Sequence, residues 1–279
     1  MPTPISRGPV VQRIHHPGII PLEVGDLWVD GAVVRERMLE WGFPRALRRV
    51  IELLFEGRGA TRSNGPLAPS VAGFEAVFFT GGRANEEDLR AVVADSRWET
   101  RFSPAGVFSG ASAGLSLLEQ QGLTGWVLDL GHSQLKLAAC DRVWTFPRDL
   151  TRLRASHTSS LRRIPVQRRR LREFLALKLQ IVMAETGCRP ESLLIALPSR
   201  LDNDGTPDAS DYAGLCGYRE LIPDTIELAG LADVAAFVLN DAELAALSAR
   251  ADPALASCRK ILVLTLGFGI GAALVSRAP

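Results

Sequence analysis

The sequence predicts an α/β fold, and three observations predict it. Short β-rich runs ended by Gly, Asp or Pro alternate along the chain with longer helix-forming stretches. Two pairs of those runs flank glycine-bearing turns, near residues 129–136 and 265–271. The composition is that of a globular protein, with 47% apolar and 23% charged residues. At 279 residues the chain is long enough for one large domain or two medium lobes, each with its own core.

Taken in order, the strand patterns fall at 9–14, 27–29, 76–80, 125–130, 135–140, 193–197, 235–239, 261–266 and 272–276. The helix patterns fall at 34–55, 86–96, 111–121, 166–186, 218–228 and 241–250. The last of these has Asn240 in position to cap it and Glu243 in its first turn, where the helix dipole favours an acid. Stretch 56–70, rich in Gly, Ser and Pro, and stretch 202–213, rich in Asp with Gly and Pro, read as hinges or linkers. Stretch 147–165 is polar and Arg-rich and fits no regular pattern.

The bulk properties exclude several classes of function. A net charge of +1 supplies no overall field to recruit nucleic acid or a membrane surface. The basic stretch 152–172 leads into a helix with Leu171, Phe174, Leu175, Leu177 and Leu179 at apolar positions, so its arginines read as a solvated face. Contact with an anionic substrate or partner is the alternative, but no aromatic residues are interleaved for nucleic acid. The four cysteines, Cys140, Cys188, Cys216 and Cys258, lie far apart in sequence. That argues against a zinc site and a disulfide framework and suits a reducing, cytoplasmic setting. His15, His16 and His157 have no partners at metal-ligand spacing. No apolar run approaches the ~20 residues of a membrane helix, and residues 1–18 show no hydrophobic signal core.

Four segments carry candidate chemistry. In Trp126-Val-Leu-Asp129-Leu-Gly131-His-Ser133-Gln-Leu-Lys136, a buried strand delivers Asp129 to a glycine turn, and a second strand returns with Lys136. Such a turn offers N–H groups and a hydroxyl to an anion, and the aspartate can hold Mg²⁺ through water. A plain β-hairpin reads the same way. In Leu264-Thr-Leu-Gly267-Phe268-Gly269-Ile-Gly271, alternate glycines permit close backbone approach to a ligand or simply a tight turn. In Leu239-Asn240-Asp241-Ala-Glu243, a strand ends where a helix starts, so Asp241 is a helix-terminal residue or a general base at the ligand-binding edge of a sheet. Thr80-Gly81-Gly82, followed by Gly110-Ala-Ser112-Ala-Gly114, gives two helix starts suited to a nucleotide or to close packing. Ser112 has the spacing of a hydrolase nucleophile elbow, but no adequate strand precedes it.

Together these segments resemble the sugar kinase/actin/chaperone-ATPase superfamily. Asp129-x-Gly131-x-Ser133-x-x-Lys136 resembles its first phosphate motif, and the Gly267–Gly271 turn resembles its second. The Gly81-Gly82 and Gly110 segments resemble its adenosine motif. Asn240-Asp241-Ala looks like the corresponding element of the ROK sugar kinases, and the segment from Pro198 to Asp202 sits where those kinases carry a Pro-Gly-x-x-Asp loop. The order differs from the family's, because the adenosine segment comes first. Joining residue 279 to residue 1 restores it, and then Glu23-Val-Gly25-Asp26 falls where the family carries Glu-x-Gly-His.

The resemblance implies a two-lobed, actin-like ATPase (ribonuclease H-like) fold, circularly permuted. One lobe would span 1–124 plus 251–279 and bind adenosine and the second phosphate segment. The other, 125–250, would bind the first phosphate segment and the substrate. It also implies ATP and Mg²⁺, with transfer of a phosphoryl group to a hydroxyl of a sugar-like substrate. Asp241 would be the base, and Asn240, Glu23 and Asp26 would contact substrate. Asp129 would hold the metal, and Gly131, Ser133, Lys136, Gly267, Phe268, Gly269, Gly81, Gly82 and Gly110 would bind nucleotide. A homodimer, as in many relatives, is compatible with it. Phe268 stands where the family usually has a small or hydroxylated residue, and Asp26 replaces the sugar-binding histidine. Those two departures motivate the alternative of a catalytically inactive nucleotide- or sugar-sensing relative. No Cys-rich zinc loop or helix-turn-helix is present in the sequence.

Overall fold

The computed structural model describes residues 10–22, 24, 28–29, 32–57, 60–61, 65–66, 72–84, 87–94, 97–103, 109–148, 161–209, 212, 214–267 and 270–277. The chain opens with β1 (Val11–Arg13), β2 (Ile19–Leu22), β3 (Trp28–Val29), β4 (Ala32–Val33), α1 (Val34–Trp41) and α2 (Phe43–Phe55). Next come β5 (Ala60–Thr61), β6 (Gly65–Pro66), β7 (Ala76–Thr80), α3 (Glu87–Val93), β8 (Glu99–Phe102) and α4 (Ser109–Gln120). The middle holds β9 (Gly125–Leu130), β10 (Gln134–Ala139), β11 (Arg142–Pro147), α5 (Ile164–Thr186), β12 (Ser192–Leu197), β13 (Arg200–Leu201) and β14 (Pro207–Ala209). The remainder is α6 (Leu221–Leu228), β15 (Ala235–Asn240), α7 (Asp241–Ala251), β16 (Lys260–Leu266) and β17 (Ile270–Ser276).

These elements form two compact units, Met1–His15 with Gly114–Asp241, and His16–Ala113 with Ala242–Pro279. The expected division into 125–250 and the rest is corrected at its edges. β1 pairs in parallel with β15, which draws the N-terminal segment into the first unit. Beyond Asp241, α7 belongs to the second unit.

The first unit is built on a six-stranded sheet in the order β1-β15-β12-β9-β10-β11. β9, β10 and β11 form an antiparallel meander, while β12 runs parallel to β9, β15 to β12, and β1 to β15. The apolar residues of β9 alternate between its faces, and Trp126, Leu128 and Leu130 share one core with Leu171, Leu175 and Leu179 of α5. Each such fully buried side chain contributes about 1.5–3 kcal/mol relative to exposure.

The second unit is built on a five-stranded sheet in the order β2-β17-β16-β7-β8. β16, β17 and β2 are antiparallel neighbours, and β7 and β8 continue parallel to β16. Counted from Lys260, its strands lie in the spatial order third, second, first, fourth, fifth. The sheet of the first unit, counted from Gly125, has the same order and directions, with β1 added at its edge. Leu47, Ile51 and Leu54 of α2 pack with Val77 and Phe79 of β7 and Leu262 and Leu264 of β16.

Two helix predictions change. The single helix expected at 34–55 is two helices, because Gly42 takes φ +80 and ψ 152, an extended left-side conformation that no helix interior contains. Pro44, in the first turn of α2, restarts the helix where its missing N–H costs nothing. The helix expected from residue 218 begins at Leu221. In the two large sheets the strands not anticipated, β2, β8 and β11, are all edges. The expected strand at 27–29 is only β3, paired with β4 as a two-residue ladder.

Candidate phosphate and metal site

In the first unit the strand order brings several of the candidate residues to one edge of the sheet. Asp129 sits one residue from the end of β9, directly across from Lys136 on β10. Because opposed residues in an antiparallel ladder point to the same face, the two side chains meet, and Lys136 Nζ lies 2.7 Å from Asp129 Oδ2. Both side chains are largely shielded, at 14% and 13% exposure, so the pair is little screened. Between them the chain turns through Gly131, whose N–H donates to the Gln134 carbonyl at 2.9 Å. A Cβ added at Gly131 would lie 3.1 Å from that same carbonyl oxygen. Ser133 is exposed at the turn, and the His132 ring stacks on Tyr212 with centroids 5.7 Å apart.

β12 lies between β9 and β15, with Ala196 opposite both Asp129 and Leu239, and Leu197 opposite Asn240. Asn240–Asp241 therefore reaches the same carboxyl edge as Asp129, two strands away, a lateral distance of roughly 10 Å from strand spacing. Asn240 Nδ2 donates to the Ser199 carbonyl at 2.8 Å, which fixes the amide toward the loop after β12. Asp241, half-buried, opens α7. Glu243, in the first turn of α7 as expected, is buried.

Arg148 was not anticipated. It follows β11 and is 1% exposed, the largest fully buried side chain among the described residues. Its Nη1 donates to the Gly131 carbonyl, and its backbone N–H donates to the Ser133 carbonyl at 2.8 Å. One residue thus grips the glycine turn at both ends. Burial pushes its pKa down to about 10, which still leaves the guanidinium charged at neutral pH. The signal in the sequence was faint, a single Arg at the margin of an Arg-rich loop.

The second unit gathers its glycines at the carboxyl ends of β7 and β16, where Thr80 and Thr265 are register partners. Gly81 has φ +97, and a Cβ there would lie 2.4 Å from the Leu266 carbonyl oxygen. It is glycine because two backbones touch. Gly82 and Gly267 are different, since a Cβ at either would meet nothing within 4 Å. Both leave backbone open. A Cβ at Gly110 would meet Leu244 at 3.3 Å, so this glycine serves the packing of α4 on α7. Its expected nucleotide role gains no support from that contact. Ser112 lies inside α4, not on a strand-to-helix elbow, which removes the hydrolase geometry. Glu23, Asp26, Phe268 and Gly269 lie outside the described residues.

Asp129 supplies a carboxylate of the type that suits Mg²⁺. One carboxylate oxygen is taken by Lys136, and Mg²⁺ commonly binds through one or two carboxylates, with water and phosphate completing its shell. Among the described residues no group of three or more His, Cys, Asp or Glu side chains could enclose a metal. No helix among them is long and apolar enough to cross a membrane.

No family model and no curated protein matches the sequence. A solved structure matches part of it. A ROK hexokinase from Thermus thermophilus is 24% identical over 55% of this chain and 46% of its own, with a TM-score of 0.39. The chain thus spans under half the length of that structure.

Proposed function

We propose that the chain is a circularly permuted, ROK-like carbohydrate kinase of the actin-like ATPase (ribonuclease H-like) class, transferring the terminal phosphoryl group of ATP to a hydroxyl of a sugar or sugar-like substrate. The observation that carries this reading is the carboxyl edge of the first sheet. A lysine-held aspartate, a glycine turn with an exposed serine, and an Asn-Asp pair lie there together. The permutation is supported by the second sheet, whose strands repeat the order of the first only when the hairpin of β16 and β17 is counted ahead of β2.

On this reading Asp241 accepts the proton of the attacking hydroxyl as its oxygen bonds to phosphorus, and the bond to the bridging oxygen breaks to release ADP. Asn240 orients a neighbouring hydroxyl. The turn after Asp129, braced by Arg148, offers its open N–H groups to phosphate oxygens. Asp129 would hold Mg²⁺, which neutralises charge on the transferring group. Positioning and charge neutralisation supply most of the rate in such transfers.

A second reading is a nucleotide- or sugar-sensing relative without turnover. The 2.7 Å pair favours it, because Lys136 already neutralises the carboxylate assigned to the metal. ADP release measured over a panel of sugars, amino sugars and cyclitols separates the two. Release dependent on one acceptor supports the kinase. Tight nucleotide binding with no release on any acceptor supports the sensor, and no nucleotide binding at all sinks both.

A further inference from the structure

Two thiols remote in sequence meet at the far end of the first sheet. Cys140 occupies the two-residue turn between β10 and β11, closed by the Ala139–Arg142 pair. Its φ of +53 makes it the one non-glycine residue with positive φ among the described residues. Cys188 follows α5 directly after Gly187, whose left-handed conformation ends the helix. Thr186 fixes it there. The Cys188 N–H donates to Thr186 Oγ1 at 3.2 Å, and its thiol approaches the Thr186 carbonyl at 3.5 Å.

The hairpin is held against this helix by side chains of both elements. The Trp144 indole N–H donates to Glu185 at 2.8 Å, and the Lys178 ammonium lies 5.0 Å from the Phe146 ring centroid. As a result the Cys140 and Cys188 side chains are neighbours, each close enough to act on the other. Both are exposed. Of the other cysteines, Cys258 is buried, and the Cys216 thiol turns to the Asp208 carbonyl at 3.3 Å.

We propose that Cys140 and Cys188 form a reversible intramolecular disulfide, closed by peroxide and opened by dithiols. In the first step one thiolate attacks a peroxide oxygen, the O–O bond breaks, and a sulfenic acid forms as hydroxide leaves and takes up a proton. The second sulfur then attacks the sulfenic sulfur, the S–S bond forms, and the hydroxyl departs as water with the second thiol's proton. In sum, two thiols and hydrogen peroxide give one disulfide and two waters, with two electrons passing from sulfur to peroxide. Slight desolvation, with Cys188 and Asp141 beside it, holds the exposed Cys140 thiol above its ordinary pKa. Thiolate is therefore scarce at neutral pH, and closure accelerates as pH rises into the alkaline range.

The test uses the full chain, reduced, freed of reductant, treated with hydrogen peroxide, alkylated and mapped without reduction. The expected result is a linked peptide pair carrying Cys140 and Cys188, an intact mass lower by two hydrogens, and reversal by dithiothreitol. Cys140→Ser and Cys188→Ser each abolish the linked pair, while Cys216→Ser leaves it. Separate alkylation of Cys140 and Cys188 after peroxide, a sulfinic acid at either without a link, or a disulfide-linked dimer through either overturns the proposal. The wild-type map decides between these outcomes even where a serine variant fails to fold.

Discussion

Asp129 and Lys136 face each other because two strands of a hairpin are in register, and that pairing follows directly from a turn three residues long. The residue assigned to the chemistry, Asp241, stands apart from this pair by two strands. Replacing it with asparagine keeps its shape and removes its basicity. Asp241→Asn is expected to retain nucleotide binding and lower turnover by at least ~100-fold, the scale of general-base catalysis. Unchanged ADP release in that variant removes Asp241 from the role. Arg148 acts on the turn and not on the proton. Arg148→Met removes a buried donor from the Gly131 carbonyl, which costs about 1–3 kcal/mol of stability in denaturant unfolding. On the kinase reading it also weakens nucleotide affinity by about 10-fold, equivalent to ~1.4 kcal/mol. Equal affinities for the variant and the wild type, compared by calorimetry, separate Arg148 from the phosphate turn.

Among the elements, the central strands were legible, and of the four edge strands of the two large sheets only β1 was. β7, β9, β12 and β16 are buried along nearly their whole length and read as continuous apolar runs. β2 contains Pro21, β8 reads Glu-Thr-Arg-Phe, and β11 opens with Arg142. Edge strands carry such residues because one side of their ladder faces solvent, so the pattern that marks a strand is diluted there. The glycines divide by the same logic of what surrounds them. Gly81→Ala forces a Cβ against the Leu266 backbone at positive φ and is expected to cost about 2 kcal/mol or more, from strain alone about 1–3 kcal/mol. Gly82→Ala enters open space and is expected to change stability by no more than about 0.5 kcal/mol. Urea unfolding of the two variants side by side checks the contrast, and equal losses contradict the geometry. Any loss of nucleotide affinity in Gly82→Ala then reports on a ligand, since the fold is untouched.

For the whole molecule, the consequence of chain order is that neither unit is a continuous segment. The first takes its edge strand β1 from residues before His16, and the second takes its second and third strands, in sheet order, from the C-terminal hairpin. Arg13 ties that added strand in place by donating to the carbonyls of Leu201 and Asp202, the latter at 3.0 Å. Deleting residues 1–15 exposes the edge of β15 and is expected to lower stability by about 1–3 kcal/mol, the scale of a few lost buried hydrogen bonds. A denaturation midpoint unchanged by the truncation contradicts the assignment of β1 to that sheet. The sequence by itself determined the α/β class, most of the central strands, the glycine turns and the residue types able to handle phosphate, because these are set by local propensity and by alternation along a few residues. Only the tertiary structure decided the division into units, the burial of Arg148 beneath the 131–133 turn, the packing role of Gly110 and the meeting of Cys140 with Cys188. Each of these depends on which strands pair across long sequence separations, and no local pattern records that choice.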